Sequence, residues 1–429
     1  MKISNPQITQ SSEIIKLSVF VESEKLGVKE LWFSVPIKYG DYLCKDRLDG
    51  FLVGMLFSAM QNGEDIHVLG CISEKLLFNL NNYAVPLILA FSSSCKKIKI
   101  TAEETSSTPF EGKGIGTGFS GGIDSFSTIY DRFELERSPN NKINGLVFLN
   151  VGSHGNLDNE NYLELHEQKF HERYEHLKKF PKEVGLEYIP VNSNLHSFHP
   201  WGHEKDSSLT MASGALMLQA HFRKYYSASA GWTYVEMFEF YELILDYDIA
   251  IFEPALLSLF STESLEFIPD GWQFTRVEKT LRLMDYAPVR RYLNVCVSDE
   301  EEGSKNCSVC HKCCRTLMTL NSAGRLEDFK GIFDIGKYKR YAELKYACKQ
   351  VVLRNKDPLA RDNVAFARQN GIRLPSYPIS VIICTPYLLS KALISTLKFL
   401  LPPSTLQRFK SFIRKSGKAN TQELICHPQ

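Results

Sequence analysis

Two periods of apolar residues alternate along this chain, and the switches between them outline its elements. In the first hundred residues, "ELWFSVP" reads as a strand and "DGFLVGMLFSAMQNG" as a helix with apolar positions at helical spacing. "DIHVLGC" is a short strand, and "SEKLLFNLNNYAVPLILAF" contains helix with a break near Pro86. "KKIKITA" closes the region as another strand. The polar stretch Glu103 to Gly114, rich in Ser, Thr, Pro and Gly, reads as a linker.

Beyond it, strand and helix patterns repeat in turn. Ile143 to Asn150 is an apolar strand, followed by an amphipathic helix from Asp158 to Phe180 with Tyr162, Leu165, Phe170, Tyr174 and Leu177 on one side. Leu186 to Val191 is the next strand, Ser208 to Phe222 the next helix and Tyr225 to Ala230 a further strand. This order predicts an α/β fold with a parallel sheet, whose ligands sit at the C-terminal ends of the strands. Three domains are expected: an N-terminal α/β domain (1–105), a parallel-sheet domain (106–330) and a mostly helical extension (331–429).

Charge and composition narrow the partners. With 50 basic and 49 acidic residues, the chain has no general basic footprint for nucleic acid. The apolar stretch Ile379 to Leu401 is broken by Pro386, Lys391 and Lys398, so no membrane span is expected. No signal-peptide pattern opens the chain, and its 11 cysteines are odd in number. Both features point to a cytoplasmic protein whose thiols bind metal or react, rather than to a disulfide framework.

The segment "GFSGGIDSFSTIY", Gly118 to Tyr130, carries the first candidate site. Gly121 and Gly122 let the backbone turn tightly and aim N–H groups inward, while Ser120 and Ser125 add hydroxyl donors. The helix that follows favours negative charge at its start. Asp124 would repel a bare phosphate, so Mg²⁺ is expected to share the site. No G-x-x-x-x-G-K-[ST] occurs. Gly116-x-Gly118-x-x-Gly121 matches a dinucleotide fingerprint, but "SSTPFEGKG" rather than an apolar strand precedes it.

Five cysteines fall between Cys296 and Cys314. Cys307-x2-Cys310-x2-Cys313, with Cys296 upstream across ten intervening residues, has the spacing of a four-thiolate structural Zn²⁺ site, with an iron–sulfur cluster as the alternative. Cys314 is the spare thiol, and His311 is expected to face solvent.

The loop S-G-G-x-D-S resembles the PP-loop ATP pyrophosphatases, which cleave ATP to AMP and pyrophosphate. The resemblance implies that Ser120, Gly121, Gly122 and Ser125 cradle pyrophosphate and that Asp124 serves metal or phosphate. It also implies that Asn150, Gly152 and Ser153, at the end of the second strand, contact the nucleoside. The glycine-rich "GIGTGF" before the loop departs from the β-branched strand usual in that family. Together with the cysteine cluster, Gly114 to Arg325 is similar to the QueC family of 7-cyano-7-deazaguanine synthases.

That similarity implies ATP, Mg²⁺ and Zn²⁺ as cofactors and activation of a carboxylate on a 7-deazaguanine. Lys279 matches a lysine of the QueC pattern and is expected to act in catalysis. The product would be a nitrile, an amide or a conjugate with a protein encoded nearby, the last being the outcome associated with enlarged QueC-like proteins of antiphage defence. Thiolation of a tRNA base and nucleotide binding without turnover are the competing functions.

Further residues stay open. Arg276 is a second candidate cation, or a solvated helix position. "GWTYVEMFEFYE" offers Trp232, Tyr234, Glu236, Phe238 and Glu239 to a base-like substrate, or to the core. Seven of the 11 histidines lie between His154 and His203; His154, just after the second strand, is the one nearest the expected nucleotide.

Overall fold

The computed structural model describes residues 1–152, 162–244, 248–296, 306–386 and 389. They fall into two compact units, the first within residues 1–273 and the second from Phe274 onward.

The first unit is organised by one eleven-stranded sheet. Its N-terminal strands are β1 (Lys2–Ile3), β2 (Gln7–Gln10), β3 (Ile14–Ser23), β4 (Gly27–Pro36), β5 (Ile66–Ser73) and β6 (Ile100–Ser106). The later strands are β7 (Gly114–Gly118), β8 (Gly145–Leu149), β9 (Glu187–Ser193), β10 (Phe222–Ala228) and β11 (Glu266–Asp270). The order is β11-β10-β7-β8-β9-β4-β3-β1-β5-β6, with β2 beside β3. All five later strands are parallel, and their order reverses between β7 and β10. The expected α/β fold with a mostly parallel sheet is therefore present.

The sheet does not stop at β9. Phe33 and Ser34 of β4 pair antiparallel with Ser193 and Asn192, so the strands of the first hundred residues extend the same sheet. The division into units thus differs from the boundaries expected at 105/106 and 330/331. Packing explains the difference. Helix α1 (Asp49–Asn62) is buried from Asp49 to Met60, which requires neighbours all round. One of them is α7 (Ser207–Leu216), whose Ser213 Oγ donates to Gly50 O at 2.6 Å. Beside it, the Asp49 carboxylate accepts from Ser73 N at 2.7 Å and from Gln219 Nε2 at 2.8 Å.

The remaining helices of this unit are α2 (Glu74–Asn79), α3 (Val85–Phe91), α4 (Ile123–Ile129), α5 (Tyr162–Leu177), α6 (Lys179–Val184), α8 (Tyr234–Ile244) and α9 (Glu253–Leu256). Between α2 and α3 the backbone makes a π-helical turn, Leu80–Ala84, and Pro86 sits in the first turn of α3, where its missing N–H is tolerated. The second unit is helical: α10 (Arg276–Leu283), α11 (Ala287–Tyr292), α12 (His311–Ser322), α13 (Ile335–Tyr341), α14 (Glu343–Leu353) and α15 (Pro358–Gln369). No helix among the described residues is long and apolar enough to cross a membrane.

Candidate functional site

β7 is a strand despite its glycines, and one aromatic ring accounts for them. Phe222, fully buried on neighbouring β10, lies against Gly114, Gly116 and Gly145; a Cβ on Gly116 would stand 2.8 Å from its Cε1. The strand is followed by Phe119, buried among Phe126, Phe180 and Tyr188, with the Tyr188 hydroxyl donating to Phe119 O at 2.8 Å. This aromatic base fixes the start of the glycine loop.

In the loop, Gly121 takes a φ of +76°, a left-handed conformation that a side chain would strain. Gly122 is extended and is the N-cap of α4. Asp124 lies in the first turn of that helix, half-buried. Ser120 is exposed. Ser125 Oγ donates to Gly122 O at 3.0 Å, which closes the turn. One cation reaches the loop unannounced by the sequence: Arg173, on α5, donates from its guanidinium to Ser120 O at 3.3 Å.

The second expected segment lies at the end of the adjacent strand β8. Asn150 is buried; its Nδ2 donates to Asn192 Oδ1 at 2.7 Å, and its carbonyl accepts from Ser193 Oγ at 2.6 Å. Its Oδ1 has no hydrogen-bond partner among the described residues. Gly152 runs close under two histidines, so that a Cβ there would lie 3.2 Å from His203 Nδ1 and 3.6 Å from His196 Cβ. Ser153 and His154 lie outside the described residues. Ser120, Gly121, Gly122, Asp124 and Ser125 thus follow β7, and Asn150 and Gly152 follow β8, at the same C-terminal edge of two paired strands. That edge, beside the reversal of strand order, is where open parallel sheets bind ligands.

Lys279 belongs to the second unit, buried on α10, whose start is closed by a capping box between Thr275 and Glu278. Arg276 is the first residue of the same helix. The aromatic segment divides. Trp232 packs with Phe240, Ala250, Ile251 and Trp272, whereas Tyr234 and Phe238 are exposed. Glu236 is buried and accepts from Thr233 N at 2.9 Å and Thr233 Oγ1 at 3.0 Å, which makes it a helix cap.

Four cysteines of the second unit form a group that could hold a metal ion. The sulfurs of Cys296, Cys307, Cys310 and Cys313 all lie within 4.8 Å of one another. Two separations, Cys296 to Cys310 and Cys307 to Cys313, are 3.9 Å. A tetrahedral ion with metal–sulfur bonds of about 2.3 Å requires sulfur separations of about 3.8 Å, so the four thiols fit zinc or a similar metal. Backbone amides support them: Cys307 N donates to Cys296 Sγ at 3.4 Å and Cys310 N to Cys307 Sγ at 3.2 Å. Hydrogen bonds from Cys307, Cys310 and Cys313 hold the Cys296 thiol below its ordinary range.

Asn306, which spacing alone did not single out, ties the knuckle together. Its Oδ1 accepts from Val295 N and Cys296 N, and its Nδ2 donates to Leu293 O and Ile332 O. Ser308 adopts a φ of +65°, unusual for a residue with a side chain, and its hydroxyl accepts from Asp334 N at 2.8 Å. Cys314 turns away and donates to Val309 O. Compared with known proteins, the chain matches no family model, no curated protein and no solved structure.

Proposed function

We propose that this chain is an ATP pyrophosphatase of the QueC-like kind, forming AMP while it activates a carboxylate on a 7-deazaguanine. The observation that carries the reading is the left-handed Gly121 and extended Gly122, set between the end of β7 and the start of α4 where the strand order reverses. A turn of this form aims backbone N–H groups at an anion, and Arg173 brings positive charge to it.

A carboxylate is a poor electrophile until its oxygen is converted to a good leaving group. In the proposed reaction a substrate carboxylate oxygen attacks the α-phosphorus of ATP, the bond from that phosphorus to the bridging oxygen breaks, and pyrophosphate leaves into the loop. The loop amides and Arg173 are placed to hold that leaving group, a contribution of position and charge. Mg²⁺, when bound, would neutralise phosphate charge, and Asp124 is the carboxylate at hand to ligate it. An amine then takes the acyl group and AMP departs. Zn²⁺ at the four cysteines would be structural, since no coordination position is left for a substrate.

The test is direct. Purified protein with Mg-ATP and 7-carboxy-7-deazaguanine, with and without ammonia, is followed by mass spectrometry. AMP formation that depends on the carboxylate supports the reading; release of ADP, or of no nucleotide product with any carboxylate offered, contradicts it.

A further inference from the structure

The connection after β9 holds a buried histidine–aspartate couple that the glycine loop does not use. His199 and Asp206 are 5% and 1% exposed. His199 Nδ1 is hydrogen-bonded to Asp206 Oδ2, and the same oxygen accepts Trp201 Nε1–H at 2.7 Å. A carboxylate partner places the imidazole proton on Nδ1, leaving the lone pair on Nε2. That Nε2 is buried and has no hydrogen-bond partner among the described residues.

The position of the couple matters as much as its chemistry. Asp206 is the N-cap of α7, just beyond the short turn Leu195–Phe198 that follows β9. His196, from that turn, and His203, four residues beyond His199, both come up against Gly152 at the end of β8. The couple therefore belongs to the same C-terminal edge of the sheet as the proposed nucleotide site. An imidazole oriented by a carboxylate, with a lone pair on its other nitrogen, has the arrangement to take a proton from a reacting group.

We propose that His199 is the proton acceptor of the second half-reaction and that Asp206 is its positioning residue; this rests on the ATP pyrophosphatase reading above. The nitrogen of ammonia or of a primary amine attacks the activated acyl carbon, forming a C–N bond. The C–O bond to the AMP phosphate breaks, and its electron pair leaves with AMP. The proton shed by nitrogen passes to His199 Nε2, and the Asp206 carboxylate balances the imidazolium charge. No oxidant or reductant is required.

The experiment separates the two halves in the full-length protein. Exchange of labelled pyrophosphate into ATP, dependent on 7-carboxy-7-deazaguanine, reads activation; single-turnover product formation with ammonia reads transfer. H199Q is expected to keep exchange within about twofold of the parent and to slow transfer by about 10²- to 10⁴-fold, the usual worth of a positioned base. D206N, which retains the imidazole but no longer fixes its tautomer, is expected to slow transfer by up to about 10⁴-fold. Hydroxylamine, a less basic amine that gives up its proton more readily, is expected to shrink the H199Q deficit, a rescue that a purely structural role would not produce.

Unchanged transfer in H199Q, equal deficits with both amines, or loss of exchange and transfer together with a lowered melting temperature would each overturn the proposal. Absence of exchange in the parent protein identifies a different failure, that of the pyrophosphatase reading, and the proton-acceptor role falls with it.

Discussion

Phe222 occupies the space that a side chain on Gly116 would need: a Cβ there would lie 2.8, 3.0 and 3.1 Å from its Cε1, Cδ1 and Cζ atoms. The glycines of β7 are thus a packing requirement of the strand that launches the loop. Substituting Gly116→Ala should lower stability by about 1–3 kcal/mol, the range of overpacked cores. Urea unfolding checks it, and F222L added to the same chain should recover part of the loss because the two sites share one volume. A fully stable Gly116→Ala protein would contradict this packing.

Arg173 donates to the backbone of Ser120 at the rim of the loop. If it also holds the pyrophosphate portion of ATP, R173A should weaken binding of a non-hydrolysable Mg-ATP analogue by about 10- to 100-fold, as expected for a charge-assisted hydrogen bond. Calorimetric titration at two salt concentrations reads the effect, and the salt dependence of binding should shrink with the lost charge.

The four-thiol centre predicts one zinc per chain by elemental analysis. C307S should lose the metal and lower the unfolding temperature, because binding energy at a closed four-cysteine site is folding energy. C314S should keep the metal, since Cys314 donates to Val309 O and is not one of the four clustered thiols. Asn306→Ala should destabilise the centre without removing a ligand.

Burial pushes the Asp49 carboxyl up to about 6, against the opposing pull of the hydrogen bonds from Ser73 and Gln219. The folded state therefore takes up a proton that the unfolded chain releases near pH 4. The associated stability is fully present below about pH 4 and is lost as the pH rises through 6. The difference in unfolding free energy between the parent and D49N should change across this window and be level above it. A difference independent of pH between 4 and 7 would contradict the shift.

Much of this was legible in the sequence for physical reasons. The loop and the cysteine cluster are local patterns: a glycine turn before a helix, and thiols at x2 spacing, need only their own neighbourhood to be recognised. The helix at Asp49–Asn62 and the strands at Ile66–Ser73 and Gly145–Leu149 were visible from their apolar periodicity. Pairing of β4 with β9 was not, because its partners are 160 residues apart (Phe33 and Ser193) and nothing local in either strand names its neighbour. Separations of 53 and 106 residues likewise hid Arg173 beside Ser120 and Phe222 across Gly116. His199 and Asp206 are close in sequence, yet nothing in "HSFHPWGHEKD" states which histidine the carboxylate will hold.

The most direct test of the account is the nucleotide product released by the purified protein with Mg-ATP and 7-carboxy-7-deazaguanine. The account predicts AMP and pyrophosphate in equal amounts, dependent on the carboxylate and abolished by substituting Gly121→Val in the loop. ADP and phosphate as the products, or AMP formation unaffected by that substitution, would contradict it.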